Sequence, residues 1–243
     1  MRLGSFANRN TKEILRDPLT VLFGLGFPLV LLFLLTAIQA NIPVEMFELG
    51  HLTPGITVFG LAFISLFSAS MIAKDRSSSF LRRLYTTPMR PWDFILGYTL
   101  PLIPMALLQS LVCYIAAMVL GLKPTVHMIY ALVLIIPVSL LYIALGLLCG
   151  SLLNDKQVGG ICGALLTNLT AWLSGIWFDL ELVGGAFNKV AHALPFLHAV
   201  ELERAALAGD LAGIFPHLWW VLGYALTLLT LAVLCFLRQM KKQ

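Results

Sequence analysis

The residues best able to do chemistry sit in one polar stretch, Lys74-Asp75-Arg76-Ser77-Ser78-Ser79-Phe80-Leu81-Arg82-Arg83-Leu84-Tyr85-Thr86-Thr87-Pro88, between two long apolar runs. A helix from Ser78 to Thr86 puts Phe80, Leu81, Leu84 and Tyr85 on one side and Arg82 and Arg83 on the other. Ser77 to Ser79 supply hydroxyls able to cap its first amides. Pro88 ends it, because proline restricts Thr87 and has no N–H to donate. A short two-faced helix of this kind is either a docking element or a loop resting on lipid headgroups.

No reaction centre accompanies it. Cys113, Cys149, Cys162 and Cys235 fall inside apolar runs without CxxC spacing and read as small hydrophobes. His192, His198 and His217 are irregularly spaced and read as interfacial side chains. No Asp, Glu, Lys or Arg lies in the middle of an apolar run, which argues against a proton-coupled carrier. With no nucleophile–base pair and no metal-ligand spacing, an intramembrane enzyme is disfavoured too. The chain lacks GxxxxGK[ST], so it cannot bind ATP in the P-loop manner. The polar groups inside apolar runs are Gln109, Thr167, Asn168, Thr170, Ser174 and the Thr57, Ser65, Ser68, Ser70 face. They serve either as helix–helix glue or as hydrogen-bonding points in a mostly apolar cavity, which an amphipathic substrate requires. Phe63, Phe67, Met71, Met105 and Trp172 are candidate walls of such a cavity.

The elements that must hold these residues are membrane spans. The chain has 243 residues, 59% apolar and 12% charged, against about 25% charged in a soluble domain. A helix of roughly 20 residues crosses about 30 Å of hydrocarbon, and the continuous apolar runs exclude a period-two barrel. The expected fold is an all-α polytopic membrane protein, a single transmembrane domain over 1–243. Its spans are placed at 18–40, 53–73, 94–120, 126–150, 158–177 and 214–237, with the polar segment at 74–93 between the second and third. Gly24, Gly26 and Pro28 invite a kink in span one, and Pro101 and Pro104 interrupt span three. Span one is too long for a signal h-region and lacks A-x-A spacing at Ala37-Ile38-Gln39-Ala40, so it is expected to be retained. Residues 1–17 form an amphipathic interfacial helix whose basic face meets anionic lipid or a partner. Residues 178–213 split at Pro195 into two short outer helices. Of 16 Lys and Arg, all but Lys123, Lys189 and Arg204 fall on the side of the termini. By the positive-inside rule, both termini are therefore cytoplasmic.

Six spans behind a basic amphipathic helix resemble the permease subunit of the type-2 ABC exporters (ABC-2 type transporters), drug and antibiotic exporters among them. The resemblance is carried by Lys74-Asp75-Arg76 leading to Leu84-Tyr85-Thr86-Thr87-Pro88 and Met89-Arg90-Pro91-Trp92-Asp93. A second stretch is Leu194-Pro195-Phe196-Leu197-His198-Ala199-Val200-Glu201-Leu202-Glu203-Arg204. It covers the whole chain and departs at Ser78 or Ser79, where many members carry Gly. It implies a coupling helix docking on a cytoplasmic ABC ATPase subunit through Asp75, Arg76, Phe80, Leu81, Arg83, Leu84, Tyr85, Thr86 and Pro88. A second ATPase contact is implied at Asn154, Asp155 and Lys156. The implied path lies along a homodimer axis, with Phe63, Ser65, Phe67, Ser68, Met71, Thr167, Asn168 and Trp172 as candidate linings. This chain would bind no cofactor and no metal; ATP and Mg belong to the partner ATPase. The implied setting is a bacterial inner membrane, with lipids and a small hydrophobic substrate as partners and no nucleic acid. Glycan export, or a non-transport assembly or regulatory role in the same fold, is the alternative.

Overall fold

The computed structural model describes residues 2–78, 80, 81 and 91–240. The expectations for Arg83, Leu84, Tyr85, Thr86 and Pro88 lie outside the described residues. The helices are α1 (Arg2–Arg16), α2 (Pro18–Asn41), α3 (Leu49–Ser77), α4 (Pro91–Val119), α5 (His127–Leu152), α6 (residues 155–173), α7 (Leu180–Val183), α8 (Gly185–Ala193), α9 (Pro195–Ala208) and α10 (Leu211–Met240). Among the described residues there is no strand, because continuous apolar runs satisfy their backbone groups within one helix.

Among the described residues, five helices are long and apolar enough to cross a membrane: α2, α3, α4, α5 and α10. The stretch expected as span five, α6, is shorter and broken in character. A four-residue α turn at Asp155–Val158 leads into a π-helical segment at Gly159–Leu166 and then α-helix to Leu173. Span one also contains a π segment, Leu22–Gly26, directly before Pro28. There the Phe27 N–H reaches back to the Leu22 carbonyl. The wider turn accommodates a proline ring that would otherwise crowd the carbonyl four residues back. Pro101 and Pro104, by contrast, do not interrupt α4, which runs unbroken through both.

α3 is the hub. In its most apolar window 89% of residues are buried, against 22% for α2 and 28% for α10. It packs on α5, α4, α2 and α9. The α3–α5 approach is close because α5 presents Gly146 and Gly150 one turn apart, as small-xxx-small pairs do. A Cβ on Gly150 would stand 2.6 Å from the Ala69 carbonyl oxygen. The segment after α6 holds three short helices rather than two. Asp179 accepts from the Glu181 amide at 2.9 Å and starts α7, and Gly184 and Gly185, with φ of 62° and 59°, end it before α8.

Candidate functional site

His51 and Asp75 lie near opposite ends of α3, and polar networks gather at each. At the α1 end, Asp75 is buried and takes a two-pronged bond from Arg9, Nη1 to Oδ2 at 2.6 Å and Nη2 to Oδ1 at 2.8 Å. The Tyr98 hydroxyl donates to the same Oδ2 at 2.8 Å. A bidentate, charge-assisted pair fixes orientation as well as distance. Burial works against the Arg9 charge, yet Asp75 outweighs it and holds the guanidinium pKa above its ordinary value. Arg9 also pairs with Glu13 at 2.9 Å, and its guanidinium carbon lies 4.4 Å from the centre of the Phe80 ring.

The same junction is sealed by Phe6, whose ring meets Tyr98 at 5.0 Å, Phe94 at 6.2 Å and Phe80 at 6.4 Å. Asn10, fully buried, donates to the Gly97 carbonyl at 2.9 Å. Gly97 is required here, since a Cβ at that position would overlap the Phe6 ring. Next to Asp75, Arg76 turns the other way and donates to the carbonyls of Gly150 (2.7 Å), Ser151 (2.6 Å) and Leu153 (3.2 Å). A cation on the free carbonyls of a helix C-terminus is favourable on both hydrogen-bond and dipole grounds. Two adjacent side chains of α3 thus tie α1, α4 and α5 together where residues 79–90 begin.

The sequence-expected site residues divide by placement. Asp75, Arg76, Phe80 and Leu81 find partners within the chain, and Leu81 is buried. Asn154, Asp155 and Lys156 are exposed, with Asn154 capping α6 through a 2.9 Å bond from the Gln157 amide. Ser65 and Ser68 are fully buried in the α3–α5 packing, Ser68 donating to the Ile143 carbonyl at 3.3 Å. Phe63 is also buried and meets Phe23 at 5.9 Å and Phe27 at 5.4 Å. Phe67 and Met71 border a cavity of about 260 Å³ between α1, α2 and α3. On α6 the pattern reverses: Asn168 and Trp172 are exposed with Ile161 and Leu165, one open stripe, while Thr167 turns back to the Cys162 carbonyl at 3.1 Å.

The opposite end holds groups whose partnership sequence reasoning did not foresee. Arg204 donates to the carbonyls of His51 (3.3 Å) and Gly175 (3.0 Å) and pairs with Glu201 at 2.7 Å. It therefore clamps α9 to α3 and to the turn after α6. His198 Nδ1 lies 2.9 Å from His217 Nδ1, its Nε2 2.9 Å from the His192 carbonyl, and its ring stacks on Trp220 at 4.8 Å. Burial pushes the His198 pKa down, so its neutral form is favoured at neutral pH. His192 and His217 border a cavity of about 770 Å³ that His51, Glu201 and Arg204 also line. Spacing gave no warning, since His198 and His217 sit on different helices, 19 residues apart.

Residues 2–208 match the family model described as ABC-2 type transporter. The chain is 25% identical over 213 residues, 81% of its length and 73% of the other, to Nodulation protein J of Rhizobium meliloti (strain 1021). With the family match covering nearly the whole membrane bundle and its α1 junction, the chain belongs to the ABC-2 type transporter family.

Proposed function

We propose that the chain is the membrane subunit of an ATP-driven exporter, paired with a second copy of itself. Together the two copies would form the path for a hydrophobic or amphipathic compound such as a drug, antibiotic or lipid. The observation that carries this reading is the α1 junction, where Asp75 holds Arg9 and Tyr98 at the root of residues 79–90. Since the chain has no phosphate loop, ATP and Mg belong to a separate cytoplasmic ATPase subunit, the kind of partner family membership implies. The charge bias supports a cytoplasmic α1 end and cytoplasmic termini, and in this reading the membrane is an inner membrane.

In this reading Arg83, Leu84, Tyr85, Thr86 and Pro88 meet the ATPase, and exposed Asn154, Asp155 and Lys156 make a second contact. Asp75, Arg76, Phe80 and Leu81 brace the contact from within the chain. Closure of the ATPase pair then pulls on α3 directly and on α1, α4 and α5 through Arg9, Tyr98 and Arg76. The cargo path runs beside the open stripe of α6, where Asn168 gives one hydrogen-bonding point in an apolar surface.

Inside-out vesicles carrying the chain with its ATPase test the proposal. Accumulation of an amphipathic dye is expected to require ATP and to survive a proton uncoupler. Export of a lipid-linked glycan in place of the dye would reassign the cargo to the family's other branch. Uptake that persists without ATP and collapses with the uncoupler would sink the exporter reading.

A further inference from the structure

Two glutamates of α9, two residues apart, have opposite surroundings. Glu201 pairs with Arg204 at 2.7 Å and lies in electrostatic range of His51, His198 and His217. Glu203 falls on the other side of the helix, is fully buried, and neither of its carboxyl oxygens has a hydrogen-bond partner among the described residues. It has no share in the charges around it. α9 packs on α3, α5, α8 and α10, and the His51 and His217 that α3 and α10 contribute act on Glu201. Of these elements α5 carries His127 and Tyr142, α8 Lys189 and His192, and α10 Tyr224; burial is the cause that sets the environment of Glu203. The buried hydroxyl of Tyr114 on α4 lies in electrostatic range of it. That hydroxyl also lies near Thr57 without forming a well-aligned hydrogen bond.

An ionised carboxylate in such a place is shut off from solvent and meets no counter-charge among the described residues, and it takes up a proton rather than bear that cost. Burial accordingly pushes the Glu203 carboxyl well above the usual carboxylate range. We propose that Glu203 is a proton-binding site, loaded while α9 is packed as it is here and emptied into solvent when α9 parts from α3, α5 and α10. The movement rests on the transport reading above; the site itself does not. The step is one proton transfer: the carboxyl O–H bond breaks, water admitted by the separation takes the proton, and the charge stays on Glu203. Linkage sets the sign. A hydrated glutamate titrates near about 4.3, and the closed form titrates higher. Protonation therefore favours the closed arrangement fully at low pH. That advantage is lost as pH rises above the hydrated value and through the closed-state value.

Infrared spectroscopy of the purified full-length chain in lipid nanodiscs reads the site directly. The wild type is expected to show a protonated-carboxyl C=O band at neutral pH, shifted in heavy water. Glu203→Gln, which keeps the shape, is expected to lose that band, and Glu203→Leu to fold with unchanged yield. Absence of the band in the wild type, or its survival in Glu203→Gln, overturns the site. The release step is read on the complex with its ATPase, trapped with vanadate in weak buffer containing a pH indicator. The wild type is expected to release a proton per permease chain that Glu203→Gln does not, and equal release overturns the linkage. Because the band is measured without ATPase or cargo, its failure would leave the exporter reading standing.

Discussion

The two ends of the α3 bundle solve the problem of buried charge in opposite ways. At the α1 end, one carboxylate meets one guanidinium face to face, a tyrosine hydroxyl completes it, and aromatic rings close the sides. At the far end, Arg204 spends two of its bonds on main-chain carbonyls of different segments, and a fully buried glutamate has no partner at all among the described residues. The first arrangement joins α1, α3 and α4 through side chains that hold one another directly. The second holds only while α9 stays against α3 and the turn after α6. In the proposed cycle, the paired end transmits the pull of the ATPase and the clamped end is where the bundle opens.

This contrast can be broken in ordered steps. Asp75→Ala removes the bidentate partner of Arg9 and the carboxylate that accepts from the Tyr98 hydroxyl, and should have the largest effect. Loss of a buried pair costs about 3–5 kcal/mol, and the partial exposure of Arg9 reduces this to about 2–4 kcal/mol. Thermal unfolding in detergent measures it, and ATP-driven transport should fall with it. Gly97→Ala should cost about 1–3 kcal/mol by driving a methyl into the Phe6 ring, and Phe6→Ala in the same chain should recover part of that loss. Arg204→Met leaves two main-chain carbonyls without their donor but should cost less, about 1–2 kcal/mol. Its clearer signature is faster thiol labelling of a cysteine placed at His51. Asp155→Ala, on an exposed turn, should shift stability by no more than about 0.5 kcal/mol; any functional effect would then come from partner contact.

The far end should also answer to pH. His198 has a folded pKa below its unfolded value of about 6.5, so its contribution to stability is complete above that value. It is lost as pH falls through the window beneath it. His198→Gln should flatten this acid limb in a thermal-shift series, whereas Asp75→Ala should leave the limb in place.

Much of the bundle was legible because lipid imposes long, continuous apolar helices, and the expected ends of spans one, three and four lie within a few residues of those found. The irregularity near Gly24–Pro28 was readable as well, although it takes the form of a π-helical turn at Leu22–Gly26. Pro101 and Pro104 misled, because a membrane helix carries proline without breaking. The Asp179 cap and the Gly184–Gly185 break were visible in principle but were overshadowed by the Pro195 signal. The pairing of Arg9 with Asp75 was hidden by a separation of 66 residues, and no local pattern links them. Ser65 and Ser68 looked like a polar face on an apolar helix. Their facing partners are Gly146 and Ile143 of α5, and only the fold reveals that such a face is helix packing. Glu203 stood out as part of the stretch 194–204 and not by itself, because sequence does not tell which side of a short helix faces inward.

The central claim, that force enters this chain at the Asp75 root of residues 79–90 from a separate ATPase, is tested most directly by purification. The tagged full-length chain would be isolated from its native cells in mild detergent, as wild type and as Leu84→Asp, and ATPase activity assayed on each eluate. A P-loop ATPase in stoichiometric yield with the wild type, lost with Leu84→Asp while the melting temperature is unchanged, is the expected result. A chain that purifies without any ATPase in several detergents, or an ATPase that stays bound to Leu84→Asp, would contradict the account.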